Sequence, residues 1–91
     1  LKTNVYESIG SIEVMEEKTG NPMPKVYVKA FARLRNGTVD FYKDGYTDIS
    51  GRFDFASVSV DKLKSVEKFA LFIHSETYGS KILECHPPLN A

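Results

Sequence analysis

Residues 48–55 read Asp-Ile-Ser-Gly-Arg-Phe-Asp-Phe, and this stretch does most to decide the fold. Gly51 supplies the positive φ of a tight turn, and Phe53 and Phe55, two residues apart, point to one face of a strand. Upstream, residues 19–28 read Thr-Gly-Asn-Pro-Met-Pro-Lys-Val-Tyr-Val and place a glycine turn and two prolines before an alternating strand. Together the stretches predict a small antiparallel β-sandwich, and neither contains a catalytic motif.

The size and composition of the chain indicate one globular domain over residues 1–91. It is 42% hydrophobic and 26% charged, which is typical of a folded domain. Twelve basic and twelve acidic residues cancel and are interspersed, so we expect neither nucleic acid nor an anionic membrane as a partner. No apolar run approaches the roughly 20 residues needed to cross a bilayer, and Cys85 has no second cysteine for an internal disulfide.

The first residue is Leu1 rather than Met, which suggests a segment excised from a larger protein. Residues 1–8 lack a firm periodicity and are interpreted as a linker or an edge strand.

The clearest strand of the sequence covers residues 25–35, where small apolar and larger side chains alternate. Asn36 and Gly37 follow it, and this pair predicts a hairpin with a type I′ turn. Pro22 and Pro24 cannot donate hydrogen bonds and predict a sheet edge or the start of a strand. The other predicted strands are residues 9–16, 38–42, 46–49, 52–56, 69–74 and 81–85, with turns at 17–21, 43–45, 50–51 and 76–79.

One short helix is predicted over residues 61–68, because Asp61 can cap it and Leu63 and Val66 share a side. About seven short strands separated by frequent turns make an all-β, seven-stranded antiparallel sandwich the expected architecture.

The order of motifs resembles a known family. A strand is followed by Thr-Gly-x-Pro-x-Pro-x-Val-x-Val and later by Thr-Asp-x-x-Gly-x-Phe-x-Phe, which is similar to the carboxypeptidase regulatory-like domain, a transthyretin-like (prealbumin-like) sandwich. The resemblance implies a non-catalytic accessory module of an enzyme, surface protein or transport protein, and it favours an extracellular or cell-surface location. The matching residues are Thr19, Gly20, Pro22, Pro24, Val26, Val28, Thr47, Asp48, Gly51, Phe53 and Phe55.

Three aspartates and a separate Cys–His group are the candidate metal ligands. Asp44, Asp48 and Asp54 flank two glycines, but calcium requires six to eight oxygens and their spacing fits no compact calcium loop. His74, Cys85 and His86 contain zinc-type ligands, but neighbours on a strand point to opposite faces and a fourth ligand is missing. We therefore expect no metal and no cofactor. A Cys–His nucleophile pair would need an activated thiolate, for which one cysteine on a terminal strand is weak support.

The outward positions of the strand at 25–35 are the best binding candidates. If that face is exposed, it forms an aromatic stripe framed by cations; if both faces of the strand are covered, the aromatics belong to the interior. The candidate binding residues are Tyr27, Lys29, Phe31, Arg33 and Tyr42.

The predicted function is that of a non-enzymatic accessory β-sandwich, serving as a structural spacer or a protein-interaction domain. Its expected partners are other domains of the parent chain or another protein. The alternative is a carbohydrate-binding module that uses exposed Tyr and Phe, although the absence of Trp counts against it. No nucleophile–base pair, phosphate loop or cofactor motif supports an enzyme.

Overall fold

The computed structural model describes residues 1–56 and 63–88, and in these ranges it contains seven antiparallel strands. They form a three-stranded sheet in the order β1–β2–β5 and a four-stranded sheet in the order β4–β3–β6–β7. The predicted all-β sandwich is therefore confirmed, and its strand arrangement is consistent with an Ig-like fold. The strands are β1 (Lys2–Tyr6), β2 (Ser11–Met15), β3 (Tyr27–Leu34), β4 (Val39–Tyr46), β5 (Arg52–Asp54), β6 (Val66–Ser75) and β7 (Gly79–Cys85), and a 3₁₀ helix (Glu7–Ile9) joins the first two.

The core lies between the inner faces of the two sheets. Phe55 and Phe69 are at most 1% exposed, and their rings meet edge to face with centroids 5.3 Å apart. Phe53 is also buried, so both aromatics of the Phe-x-Phe motif face inward as predicted, although β5 itself ends at Asp54. The aliphatic part of this core includes Ile12, Val14, Val26, Val28, Val66, Leu71 and Ile73.

The segment between β4 and β5 shows why the Thr-Asp-x-x-Gly motif decides the fold. The Thr47 hydroxyl is buried; it donates to the Met23 carbonyl at 2.6 Å and accepts from the Val26 N–H at 3.0 Å. Gly51 has a φ of 77°, and a Cβ there would lie 2.5 Å from the Val14 carbonyl oxygen. The motif thus holds the crossing chain against both sheets: position 47 requires a hydroxyl and position 51 requires glycine.

The turn after β3 lies at the predicted place but is not of type I′. Gly37 has a φ of 91°, whereas Asn36 does not have the positive φ that a type I′ turn also requires. Asn36 instead accepts hydrogen bonds at its Oδ1 from the N–H and the hydroxyl of Thr38, at 3.0 and 2.7 Å. The asparagine therefore closes the hairpin through its side chain.

The predicted turn at residues 43–45 is wrong, because these residues belong to β4. Gly45 lies where the ring of Phe53 approaches β4, and a Cβ there would be 2.7 Å from that ring. Close packing between the sheets therefore explains this glycine, which the sequence suggested was a turn residue.

The predicted helix at residues 61–68 is wrong at its C-terminal end. Val66 and Lys68 belong to β6, where they pair with Leu34 and Arg33 of β3. Asp61 and Lys62 lie outside the described residues, and residues 63–65 form a helical residue and a turn. The pairing of β6 with β3 and the burial of Val66 (1% exposed) outweigh the helical preference suggested by the spacing of Leu63 and Val66, because so short a helix is only marginally stable.

The sequence leaves residues 1–8 as either a linker or an edge strand; Lys2–Tyr6 form an edge strand that pairs with β2, and Glu7 and Ser8 begin the 3₁₀ helix. None of the helices in the described ranges is long and apolar enough to span a membrane.

Candidate functional site

The outer face of the four-stranded sheet is the candidate site. It consists of the side chains that alternate with the buried ones on β3, β4, β6 and β7, and the strand register places them in rows across the sheet. We use the term outer face for this set: Tyr27, Lys29, Phe31 and Arg33 of β3; Val39, Phe41, Asp44 and Tyr46 of β4; Lys68, Ala70, Phe72 and His74 of β6; and Ser80, Ile82 and Glu84 of β7.

The centre of the outer face is apolar. Phe31 lies opposite Phe41 on one neighbouring strand and Ala70 on the other, and Phe72 lies opposite Ile82. Phe41 is 53% exposed and Ile82 is 70% exposed, although both belong to regular strands. A shallow groove of about 470 Å³ runs over this centre, lined mainly by apolar side chains. Large aromatic and aliphatic groups grouped on a solvent-facing sheet are typical of an interaction surface.

Lys29 provides the cation at this apolar centre. Its Nζ lies 5.1 Å from the centroid of the Phe31 ring and 5.6 Å from that of the Phe41 ring. Within the described residues, no carboxylate lies within ion-pair distance of this ammonium. The ammonium is therefore held over two aromatic rings, which attract it through their quadrupoles.

Asp44 lies directly opposite Lys29 in the strand register, yet its carboxylate is bound elsewhere. Asp44 accepts a 2.8 Å hydrogen bond from the hydroxyl of Tyr27, and this bond raises the pKa of the Tyr27 phenol. The Tyr27 ring in turn contacts that of Tyr46, with centroids 5.6 Å apart.

The ends of the outer face are polar and largely paired. Arg33 lies 3.6 Å from a carboxylate oxygen of Glu67, and Lys68 lies 4.0 Å from one of Glu84. At the opposite end, the His74 ring stacks on Phe72, and its Nδ1 lies 2.7 Å from the Ser80 hydroxyl. An apolar centre with a polar rim is the usual anatomy of a protein interface.

Four of the five predicted binding residues, Tyr27, Lys29, Phe31 and Arg33, lie together on the outer face. The side chain of the fifth, Tyr42, is 7% exposed and packs in the core against Phe69, with ring centroids 4.9 Å apart. Tyr42 is therefore a core residue, and its prediction as a surface residue is wrong.

A β-bulge is the physical reason for that error. Ala30 pairs with Lys43, but the next residue of β3, Phe31, pairs with Phe41, so Tyr42 is an extra residue on β4. Two consecutive residues of β4, Tyr42 and Lys43, consequently point inward, and the alternation reverses beyond them. Lys43 uses this orientation to donate a 2.6 Å hydrogen bond to the Asp54 carbonyl across the open edge of the sandwich.

Sequence reasoning did not include Phe41 and Ile82 among the binding residues. Phe41 faces outward only because of the bulge, which no local pattern in β4 marks. Ile82 could have been found, because Ile82 and Leu83 are adjacent on one strand and must face opposite sides.

The three aspartates that were candidate calcium ligands have separate roles or positions in the structure. Asp44 binds Tyr27, and Asp54 lies on β5. Asp48 accepts hydrogen bonds at one oxygen from the hydroxyl and N–H of Ser50 and the N–H of Arg52, and these bonds lower the pKa of the Asp48 carboxyl. The Asp48 carboxylate therefore organises its own turn.

The His and Cys candidates are separated as well. His74 is on the outer face, Cys85 is buried, and His86 lies beside Glu7. The backbone N–H of His86 donates a hydrogen bond to the Glu7 carboxylate, and this bond lowers the pKa of the Glu7 carboxyl. Burial raises the pKa of the Cys85 thiol to about 12, the opposite of the activated thiolate that nucleophilic catalysis needs. In the described residues, no three His, Cys, Asp or Glu side chains form a metal-binding group.

Comparisons with known proteins agree on one family. A family described as the AbpF C-terminal domain matches residues 1–90. The chain is 38% identical over 88 residues to actin-binding protein F of Dictyostelium discoideum, an alignment that covers 97% of this chain and 4% of that protein. No solved structure matches the chain significantly. The matching family is not the carboxypeptidase regulatory-like one suggested by the motifs, whereas the broader expectation of a small β-sandwich domain agrees with it.

Proposed function

Because the chain belongs to the AbpF C-terminal domain family, a family of Ig-like β-sandwiches, we propose that it is a non-enzymatic accessory module of a larger protein. The module acts as a protein-interaction domain through its outer face. The chain spans only about 4% of the length of the relative that it matches. What the whole parent protein does is therefore a proposal as well.

One observation carries this proposal: large apolar side chains lie together on the solvent side of a regular sheet. Phe41 at 53% exposure and Ile82 at 70% exposure flank the half-buried Phe31 and Phe72. Aromatic residues and arginine are enriched among the anchors of protein interfaces, and Arg33 lies on the same face. A structural spacer alone would not require this composition.

The partner is proposed to be another domain of the parent chain or another protein. The name of the Dictyostelium relative states that it binds actin, so actin is the first partner to test. The relationship to carboxypeptidase regulatory-like domains remains a prediction from the motifs. It implies no partner beyond those named above.

Carbohydrate binding is the second candidate, favoured by the exposed rings of Phe41 and Tyr46. Sugar hydroxyls need hydrogen-bonding groups beside the stacking ring, but the groove at the centre of the face is lined mainly by apolar side chains. Protein binding is therefore the better use of this face. Affinity electrophoresis in gels containing polysaccharides separates the two functions: we expect no retardation, and clear retardation would favour carbohydrate.

Site-specific photo-crosslinking tests the proposed function. Benzoylphenylalanine placed at position 82 lies on the outer face, whereas the same group at position 49 replaces Ile49, an 88% exposed loop residue elsewhere on the domain. In cells that express the protein, we expect a discrete protein adduct from position 82 and none from position 49. Equal or absent adducts at the two positions would contradict an interaction through this face.

A further inference from the structure

We propose that the outer face accepts an apolar protein segment that carries a carboxylate, and that this carboxylate binds the Lys29 ammonium between the Phe31 and Phe41 rings. This inference rests on the proposed function and specifies the chemistry of its partner. Four observations support it.

The first observation is the position of the charge. Lys29 lies within the apolar groove, together with Phe31, Ala70, Phe72 and Ile82. A cation in such surroundings is partly removed from water when the groove is covered. A covering segment would therefore have to supply an anion, because an unpaired charge is costly at a desolvated interface.

The second observation is that Asp44, the carboxylate nearest to Lys29 in the strand register, is bonded to another residue and forms no ion pair with it. Asp44 faces Lys29 across β3 and β4 but binds the Tyr27 hydroxyl at 2.8 Å. The Lys29 ammonium lies 5.1 and 5.6 Å from the two phenyl centroids. An ammonium has three N–H donors and rings satisfy them only weakly, so this one retains donors for a carboxylate.

The third observation is that the remaining cations of the face are already paired. Arg33 lies beside Glu67 and Lys68 beside Glu84, both pairs being exposed to solvent. Among the described cations of this face, the central Lys29 is therefore the one without a carboxylate within ion-pair distance, and aromatic and aliphatic groups surround it. The complementary surface carries one negative charge within an apolar patch.

The fourth observation, the distribution of charge on this face, disfavours two other occupants. A second copy that met this face symmetrically about Lys29 would bring two ammonium groups together, which disfavours association. A nucleic acid would meet the carboxylates of Asp44, Glu67 and Glu84 on or beside the same face of a chain with formal net charge +0. An apolar protein segment with one carboxylate brings no second ammonium and far less negative charge than a nucleic acid.

Selection from a random peptide library displayed on phage tests the proposal. The wild-type chain, Lys29→Met and the double variant Phe31→Ser/Phe41→Ser are used as separate baits. We expect wild-type binders to pair Asp or Glu with aromatic or aliphatic residues. We also expect Lys29→Met to retain the apolar preference without the acidic one, and the double variant to retain no binders.

The outcomes separate this inference from the proposed function. Apolar binders without acidic residues that still depend on Phe31 and Phe41 would overturn the role of Lys29 and leave the interaction face intact. Binders that are equally retained by the double variant, or no binders on the wild type, would contradict both. Urea unfolding of each bait confirms that it is folded.

Calorimetry with the strongest acidic peptide and its Glu→Gln or Asp→Asn counterpart gives the decisive number. On the wild-type chain we expect the amide peptide to bind about tenfold more weakly, the loss of one charge-assisted hydrogen bond. On Lys29→Met the two peptides should bind equally. A tenfold difference that persists on Lys29→Met would place the carboxylate elsewhere and overturn the proposal.

Discussion

On β3 the larger apolar side chains face outward and the smaller ones face inward, whereas a sheet with one solvent-facing side usually has its large apolar side chains inside. The inward residues are small and at most 2% exposed, namely Val28, Ala30 and Ala32. The outward residues Tyr27 and Phe31 are larger, yet they are only half-buried. Small side chains on the inside let the bulky rings of the opposite sheet and of β6 fill the core. The large rings on the outside are not needed for that core, which suggests that stability and partner binding are assigned to separate faces.

The largest expected effect comes from comparing one phenylalanine from the core with one from the outer face. Phe55→Ala should lower the free energy of unfolding by about 3–5 kcal/mol, because it removes a fully buried ring. Phe41→Ala, at a position that is 53% exposed, should cost about 1 kcal/mol or less. Urea unfolding of both variants checks the difference; similar losses would mean that the outer face is part of the stable core.

The next effect concerns the crossing segment that joins the sheets. Thr47→Val should lower the free energy of unfolding by about 1–3 kcal/mol, since it leaves the buried N–H of Val26 without its acceptor. Thr47→Ser retains the hydroxyl and should lose clearly less. If the two variants are equally stable, the hydroxyl contributes nothing to the fold.

The sequence was sufficient to predict features that depend on neighbours along the chain. Alternation located the buried face of β3, and the Asn36–Gly37 pair located the hairpin. Phe53 and Phe55 were correctly predicted to face inward, because the two-residue period of a strand is a local property.

The errors arise where residues distant in sequence decide the structure. Tyr42 is buried because Phe31 pairs with Phe41 and leaves Tyr42 as the extra residue of a bulge. Gly45 is required by the approach of Phe53, and Val66 is in a strand because Leu34 pairs with it. Such contacts cannot be derived from the local pattern, and the same limit explains why Phe41 was missed at the candidate site.

A smaller effect is expected at alkaline pH on the inner face. Burial raises the pKa of the Cys85 thiol from its ordinary value of 9.0 to about 12. The folded state therefore holds this proton more tightly than the unfolded state, so the contribution to stability is complete below about pH 9 and is lost as the pH rises toward 12. Between pH 7.5 and pH 10.5, the urea midpoint of unfolding should fall more for the wild type than for Cys85→Ala. Equal falls in the two chains would show that the thiol does not titrate differently on folding.

The smallest expected effect is that of metal removal. The candidate calcium and zinc ligands fit no complete coordination shell in the sequence, and Asp48 uses its carboxylate within its own turn. Addition of EDTA should leave the melting temperature unchanged within error. A decrease of several degrees would mean that a metal site among these residues has been misinterpreted.

Phe31→Ser, studied in a chain that carries benzoylphenylalanine at position 82, tests most directly whether the two faces have separate roles. Phe31 is half-buried, so we expect the free energy of unfolding to fall by about 1 kcal/mol. Because Phe31 lies at the centre of the outer face, we also expect the protein adduct from position 82 to be lost. A loss of stability of about 3 kcal/mol or more, the size expected for a core aromatic, or an undiminished adduct, would contradict the account.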